Sequence, residues 1–279
     1  MQSKHCSVAR TLKRPIWLSG QMIFERPLPT RTCCHPSTWK QRLAKQAHRP
    51  VTPYCATRCG HCSVSYRVVP WIDELMATHP GLNLRVQITD TNVDFYRDSV
   101  DMALRYGAPS DTNLYGFKIC DVPRLLCASP DYLSRHGRPI HPDDLENHNG
   151  LFYQLQDIPF DLWTFKRGDE EYRVKMTGDR ASNDGDLVRR WCVAGRGLAI
   201  KSCLDMSDDL LAGRVTTIMP DYAPPVSELW LICPTRQSIT PAMRLLRDDL
   251  RAKVGELMNA MIAGGFFPPD RLSGGKKDA

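Results

Sequence analysis

Cysteines and histidines are the residues of this chain whose types and spacing come nearest to metal or nucleophile chemistry. Cys59-x-x-Cys62, with His61 between them and Cys33, Cys34, His35 and Cys55 upstream, gathers soft ligands, and its spacing is that of one half of a zinc knuckle. A knuckle needs a second spaced pair, whereas Cys33 and Cys34 are adjacent. The favoured reading of this stretch is a solvated leader that holds no metal. His136, His141 and His148 are spread along a loop-rich segment without ligand spacing. There is no G-x-S-x-G elbow, no H-E-x-x-H and no P-loop, and Gly195-Arg196-Gly197 lacks the third spaced glycine of a dinucleotide fingerprint. Neither an enzyme nor a cofactor is expected.

The elements that must position binding residues begin well into the chain. Its 279 residues carry 37 Lys+Arg against 31 Asp+Glu, a net charge of +6, but the charge is unevenly laid out. Residues 1–67 hold 12 of the bases and one acid, Glu25, so this leader is +11 and the rest of the chain is −5. Residues 1–65 show no sustained hydrophobic period, and Pro15, Pro27, Pro29, Pro36, Pro50 and Pro53 would interrupt most helices there. The segment reads as disordered. Arg10, Lys13 and Arg14 flank only the short Ile16-Trp17-Leu18, which is no secretory core, and no run approaches the ~18 apolar residues of a membrane span. Cys120, Cys127, Cys192, Cys203 and Cys233, without regular pairing, suit small core positions in a reducing cytosol, so a cytoplasmic location is expected.

From Arg67 onward the pattern is regular. Val69, Ile72, Leu75 and Met76 form a helical stripe, Pro70 stands where a first turn tolerates it, and His79-Pro80-Gly81 is a stop. Leu84, Val86 and Ile88 then alternate with Arg85, Gln87 and Thr89, as in a half-buried strand. A short helix capped by Asn92 and a strand over 102–106 follow, and this alternation predicts an α/β sheet with parallel pairing. Further strands are expected over 118–120, 124–128 and 151–153, with short helices over 130–136 and 142–147. Arg167-Gly168-Asp169 is a turn between strands at 162–166 and 171–176. Trp163, Phe165 and Tyr172 are read as packing of that hairpin. Ser182-Asn183-Asp184 offers caps for a helix ending at Gly195. Strands at 215–218 and 228–233, a closing helix over 241–261 and a frayed tail after Gly264 complete the body.

The order of several short motifs resembles the effector-binding domain of LysR-type transcriptional regulators over residues 66–255. The resemblance rests on Val69-Pro70-Trp71-Ile72-Asp73-Glu74-Leu75 with His79-Pro80-Gly81, and on Asp101-Met102-Ala103-Leu104-Arg105-Tyr106-Gly107. Ala128-Ser129-Pro130-Asp131-Tyr132-Leu133, His136-Gly137-Arg138-Pro139 and Pro142-Asp143-Asp144-Leu145 continue it. Asn183-Asp184-Gly185, Ala194-Gly195-Arg196-Gly197-Leu198-Ala199-Ile200 and Leu211-Ala212-Gly213-Arg214-Val215 complete it. The fold implied is α/β, with two Rossmann-like subdomains joined by two crossover strands, like a type 2 periplasmic binding protein. Subdomain I would take residues 66–151 and 231–262, subdomain II residues 152–230, and 263–279 would be a tail.

The resemblance also implies function and partners. A small carboxylate or aromatic effector would bind in the cleft between subdomains. Intact members of the family act on DNA. Two copies would pair through the 69–79 helix and the 84–89 strand, giving a homodimer or homotetramer. Members begin with a winged helix-turn-helix that residues 1–65 do not match, so the DNA reader is expected to be lost or frame-shifted here. The alternative is a stand-alone solute-binding or oligomerisation module. Positions matching the family's effector wall are Ser65, together with Ser63 ahead of the first helix, Thr89, Thr91, Arg105, Asn183 and Asp184. Competing structural roles are helix capping for Ser182 or Asn183, an ion pair with Asp101, Asp121 or another acid of the body for Arg105, and the exposed strand face for Thr89.

Overall fold

The computed structural model describes residues 54–58, 64–89, 95, 100–109, 111–155 and 158–272. Thr91, Ser63, the Cys59–Cys62 spacing with Cys33, Cys34 and His35, and most of the helix expected after Asn92 lie outside them. Strand β1 (Tyr54–Arg58) sits between two parallel partners, β2 (Arg85–Thr89) and β3 (Met102–Tyr106). It falls inside the stretch expected to be an unpatterned leader. Five residues between a proline and a cysteine are too few to show a period, and it is pairing on both sides that makes them a strand. Helix α1 (Val64–Thr78) crosses from β1 to β2, as a parallel pair requires. It starts before the expected position, so Pro70 lies inside it instead of in its first turn. The ring removes one helical hydrogen bond, and burial of Val68, Trp71, Ile72 and Leu75 offsets the loss.

Antiparallel strands complete this sheet. Strand β4 (Tyr115–Val122) pairs with β13 (Ser227–Cys233), which also pairs with β3, giving the order β2-β1-β3-β13-β4. The closing helix α5 (Pro241–Ala263) buries Met243, Leu246, Leu250, Val254, Met258 and Met261, an apolar stripe at steps of three and four. The described residues after it, 264–272, are not frayed as expected. Phe267 is 3% exposed within the main core, and a 3-10 turn at Pro269–Leu272 follows.

Pro123 separates β4 from β5 (Arg124–Ala128), which enters a second sheet between β11 (Ala199–Ser202) and β12 (Thr216–Thr217). Helix α2 (Pro130–His136), β6 (Leu151–Leu155), β7 (Ile158–Pro159), the hairpin β8 (Leu162–Arg167) and β9 (Glu170–Lys175), β10 (Arg180–Ser182) and α3 (Gly185–Val193) fill the sequence between β5 and β11. Strand β6 is parallel to β10 and antiparallel to β7. The expected 142–147 helix is a 3-10 turn, and α4 (Cys203–Leu211) is a helix that the sequence reading did not name.

Sheet membership changes at Pro123 on the way out and at Ser227 on the way back, where the motif order suggested 151 and 231. Packing does not divide at the same point as the sheets. Leu125, Cys127 and Leu151 share one core with α1, β3 and α5, whereas Leu126 and Ala128 join a second core with Tyr132, Phe165 and Leu198. Strand β5 is therefore buried on both faces.

Candidate ligand-binding site

Beside the Pro123 junction lies a cavity of about 150 Å3, lined by Arg124, Leu151, Tyr153, Phe160, Trp163 and Ile200, with Leu162, Thr164, Pro224 and Pro225 around them. Each wall has a local cause. Arg124 opens β5, and the antiparallel register places it opposite Ser202 and Leu126 opposite Ile200. Leu151 and Tyr153 are two apart on β6 and so share a face. Trp163 on β8 is buried, with its indole N–H donating to the Phe160 carbonyl at 3.1 Å. A close backbone approach keeps this layer tight: a Cβ added at Gly178 would come within 2.1 Å of the Gly150 carbonyl oxygen.

A buried polar network adjoins the cavity. Burial pulls the Arg124 guanidinium below the usual arginine range, and the nearby Asp205 and Tyr106 work in the opposite direction. Lys201 and Asp205, with side chains 1% and 0% exposed, form an ion pair at 3.1 Å, and the ammonium also donates to the Gly185 carbonyl at 3.1 Å. Ser202 caps α4 by accepting from the Asp205 N–H at 3.0 Å, and it accepts the Tyr106 hydroxyl at 2.8 Å. Tyr106 ends β3 of the first sheet, so this bond ties the two sheets together. The Arg124 cation and the Tyr153 and Thr164 hydroxyls beside apolar and aromatic walls suit an amphiphilic anion with a single-ring body. An apolar cavity of about 150 Å3 holds a benzene-sized molecule.

The residues expected at the site are dispersed in other roles. Asp184 is the N-cap of α3, its carboxylate accepting from the Asp186 and Leu187 N–H groups, and the Ser182 hydroxyl in turn accepts from the Asp184 N–H. Asn183 is exposed. Arg105 donates to the Tyr106 carbonyl at 3.3 Å. None of Arg105, Asn183 and Asp184 lines the cavity. Ser65 is in the first turn of α1 and Thr89 ends β2 opposite Arg58. Arg124, Tyr153 and Trp163 were not singled out as site residues, although a cation directly after Pro123 and ahead of an apolar run is a visible signal. The histidines serve locally: His148 contacts the Tyr132 hydroxyl, and His141 caps the 3-10 turn. Among the described residues no cluster of His, Cys, Asp or Glu has the makings of a metal site.

Two sheets joined through a strand-to-strand junction, with a small cavity beside it, define a two-part α/β ligand-binding domain. The family model for the LysR substrate binding domain matches residues 58–255, and the chain belongs to that family. It is 31% identical over 189 residues to the HTH-type transcriptional regulator DmlR of Escherichia coli (strain K12), covering 68% of this chain and 61% of that protein. The HTH-type transcriptional activator TtdR of the same strain is 27% identical over 231 residues, covering 81% of this chain and 71% of that one. Among solved structures, the regulatory domain of CrgA from Neisseria meningitidis shares the fold with a TM-score of 0.64 at 18% identity, over 73% of this chain and 100% of that one. Full-length AphB of Vibrio cholerae matches with a TM-score of 0.61 at 20% identity, over 77% of this chain and 76% of that one. No described helix is long and apolar enough to cross a membrane.

Proposed function

We propose that this chain is the sensing part of a LysR-type transcriptional regulator, acting in the cytoplasm as a homodimer or homotetramer and as a sensor, not an enzyme. The observation that carries the reading is the cavity at the Pro123 junction, where Arg124 and Tyr153 meet Phe160 and Trp163. A small carboxylate with an aromatic or short aliphatic body is the effector class that suits it. Its anionic group is assigned to Arg124 and its body to the apolar wall. Ser65, Thr89 and Thr91 are kept in this reading as contacts from the first subdomain, and Arg105, Asn183 and Asp184 as residues that shape the surroundings. Effector binding would act on transcription by favouring one placement of the two sheets over another, through its different affinity for the two states.

A second reading is favoured by the composition of residues 1–65, which carry no helix-turn-helix pattern: a solute-binding and oligomerising module without a DNA reader. Gel-shift of promoter DNA with the full chain and with residues 54–279 separates the two. Sequence-specific binding that disappears with residues 1–53 would overturn the loss of the reader. The sensing role is tested by a thermal-shift screen of small carboxylates and aromatics. A saturating ligand at 100 times its dissociation constant adds about 2.7 kcal/mol to stability. Arg124→Gln is expected to abolish the response to carboxylates, and an unchanged response would remove Arg124 from the site.

A further inference from the structure

Strand β4 is the outer strand of the first sheet, and where it meets the start of α5 there is an open groove of about 580 Å3. Tyr115, Phe117, Ile239, Arg236, Arg244 and Arg247 line it. Three guanidiniums here stand out against a body whose net charge is −5. Arg244 and Arg247 lie in the first two turns of α5, the end of a helix at which cations are disfavoured, and its first turn holds no acid. The three differ in what they already hold. Arg247 is fixed by Asp248 through two hydrogen bonds of 2.7 and 2.9 Å and lies 5.0 Å above the Phe117 ring. Arg236 and Arg244 are exposed, and their side chains have no hydrogen bond or ion pair among the described residues.

An added peptide strand is a poor fit for this groove. Arg251 donates to the Lys118 carbonyl at 2.7 Å and covers the edge of β4 just beyond it, which leaves only a short stretch of strand open. A nucleic-acid polymer would extend from the groove over an acidic body. The volume lies instead within the ~300 to 1,000 Å3 typical of small-molecule sites. We propose that the groove binds a small organic polyanion, a phosphate ester or a polycarboxylate, at a site separate from the cavity beside Arg124. Arg236 and Arg244 hold its anionic groups through the paired N–H donors that suit both oxyanions, and Tyr115, Phe117 and Ile239 carry its less polar body.

Isothermal titration calorimetry on the full chain, with adenosine diphosphate and citrate as probes and sodium sulfate at matched ionic strength as control, tests this. One of the two probes is expected to bind saturably above the sulfate control. Its affinity should fall about tenfold or more in the double variant Arg236→Gln/Arg244→Gln, the loss of two charge-assisted contacts. Both positions are exposed, and an unchanged melting temperature would show that the fold is intact. Tighter binding of adenosine diphosphate identifies the phosphate ester, and tighter binding of citrate identifies the polycarboxylate. The proposal is overturned if neither probe exceeds sulfate, if the double variant binds as the parent does, or if duplex DNA is held by these arginines while both probes are not.

Discussion

Lys201 and Asp205 show how a single pair can be indispensable without being a net source of stability. Both side chains are essentially without solvent contact, so removing one partner leaves the other charge buried and uncompensated. Lys201→Met is expected to lower unfolding stability by about 3 to 5 kcal/mol in urea titrations. The double variant Lys201→Met/Asp205→Leu should recover most of that loss, because it removes both desolvation costs. A double variant no more stable than the single one would show that the contact from Lys201 to the Gly185 carbonyl carries the effect instead.

Asp179 gives a residue-level test by pH. Hydrogen bonds from Arg180 and then Asn149 hold its carboxyl down from the ordinary 3.8 to about 2. Because the folded value lies below the unfolded one, the stabilisation is fully present above about pH 4 and fades as pH falls toward 2. The group is largely exposed, with 53% of its side chain open to solvent, so screening keeps the contribution small. Asp179→Asn should flatten the melting temperature between pH 4 and 2 and leave the slope above pH 5 untouched. The site was only partly legible at this scale. Asp184 and Asn183 stood out because cap residues have a local signature, whereas Arg124 and Tyr153 are 29 positions apart and meet only through the pairing of different strands.

At the scale of elements, local chemistry was the better guide. Gly168 at φ 60° turns the β8–β9 hairpin, and Gly195 at φ 68° follows the end of α3, both where Gly is the residue that enters that region freely. Asp184→Ala should cost about 1 kcal/mol by removing the α3 cap, read as a lower urea midpoint. Asn183→Ala should leave the midpoint unchanged, since that side chain is exposed. Equal losses from both would argue that the cap is not what Asp184 contributes. Strand β1 and helix α4 escaped the sequence reading for different reasons. Strand β1 is too short for its period to show. In α4 seven of nine residues are buried, among them Asp205, Ser207 and Asp209, so polar residues occupy core positions and blur the apolar stripe.

At the scale of the molecule, the succession of helix and strand sufficed for an α/β domain in two parts, but it could not locate the seam. Motif order places segments along the chain, whereas the change of sheet at Pro123 is set by strand pairing, and Leu125, Cys127 and Leu151 beyond it still pack with the first sheet's core. The whole-molecule expectation is linkage: ligand stabilisation should grow with the logarithm of free ligand once above its dissociation constant. If the effector also favours assembly, light scattering should show a larger species at the same ligand concentrations. A ligand that raises the melting point with no change in mass would separate sensing from oligomerisation.

The double burial of β5 has a consequence for how this protein tolerates change. An ordinary surface strand such as β9, where only Val174 is buried, accepts substitution at every other position. From Leu125 to Ala128 no side chain faces water, and the two cores take alternate residues. A saturation-mutagenesis map should therefore show these four positions as an unbroken block of intolerance, without the two-residue ripple that usually marks a strand. Variation in ligand preference among relatives would then have to arise at Arg124 and at the far walls of the cavity, since the strand between them is free to change on neither side.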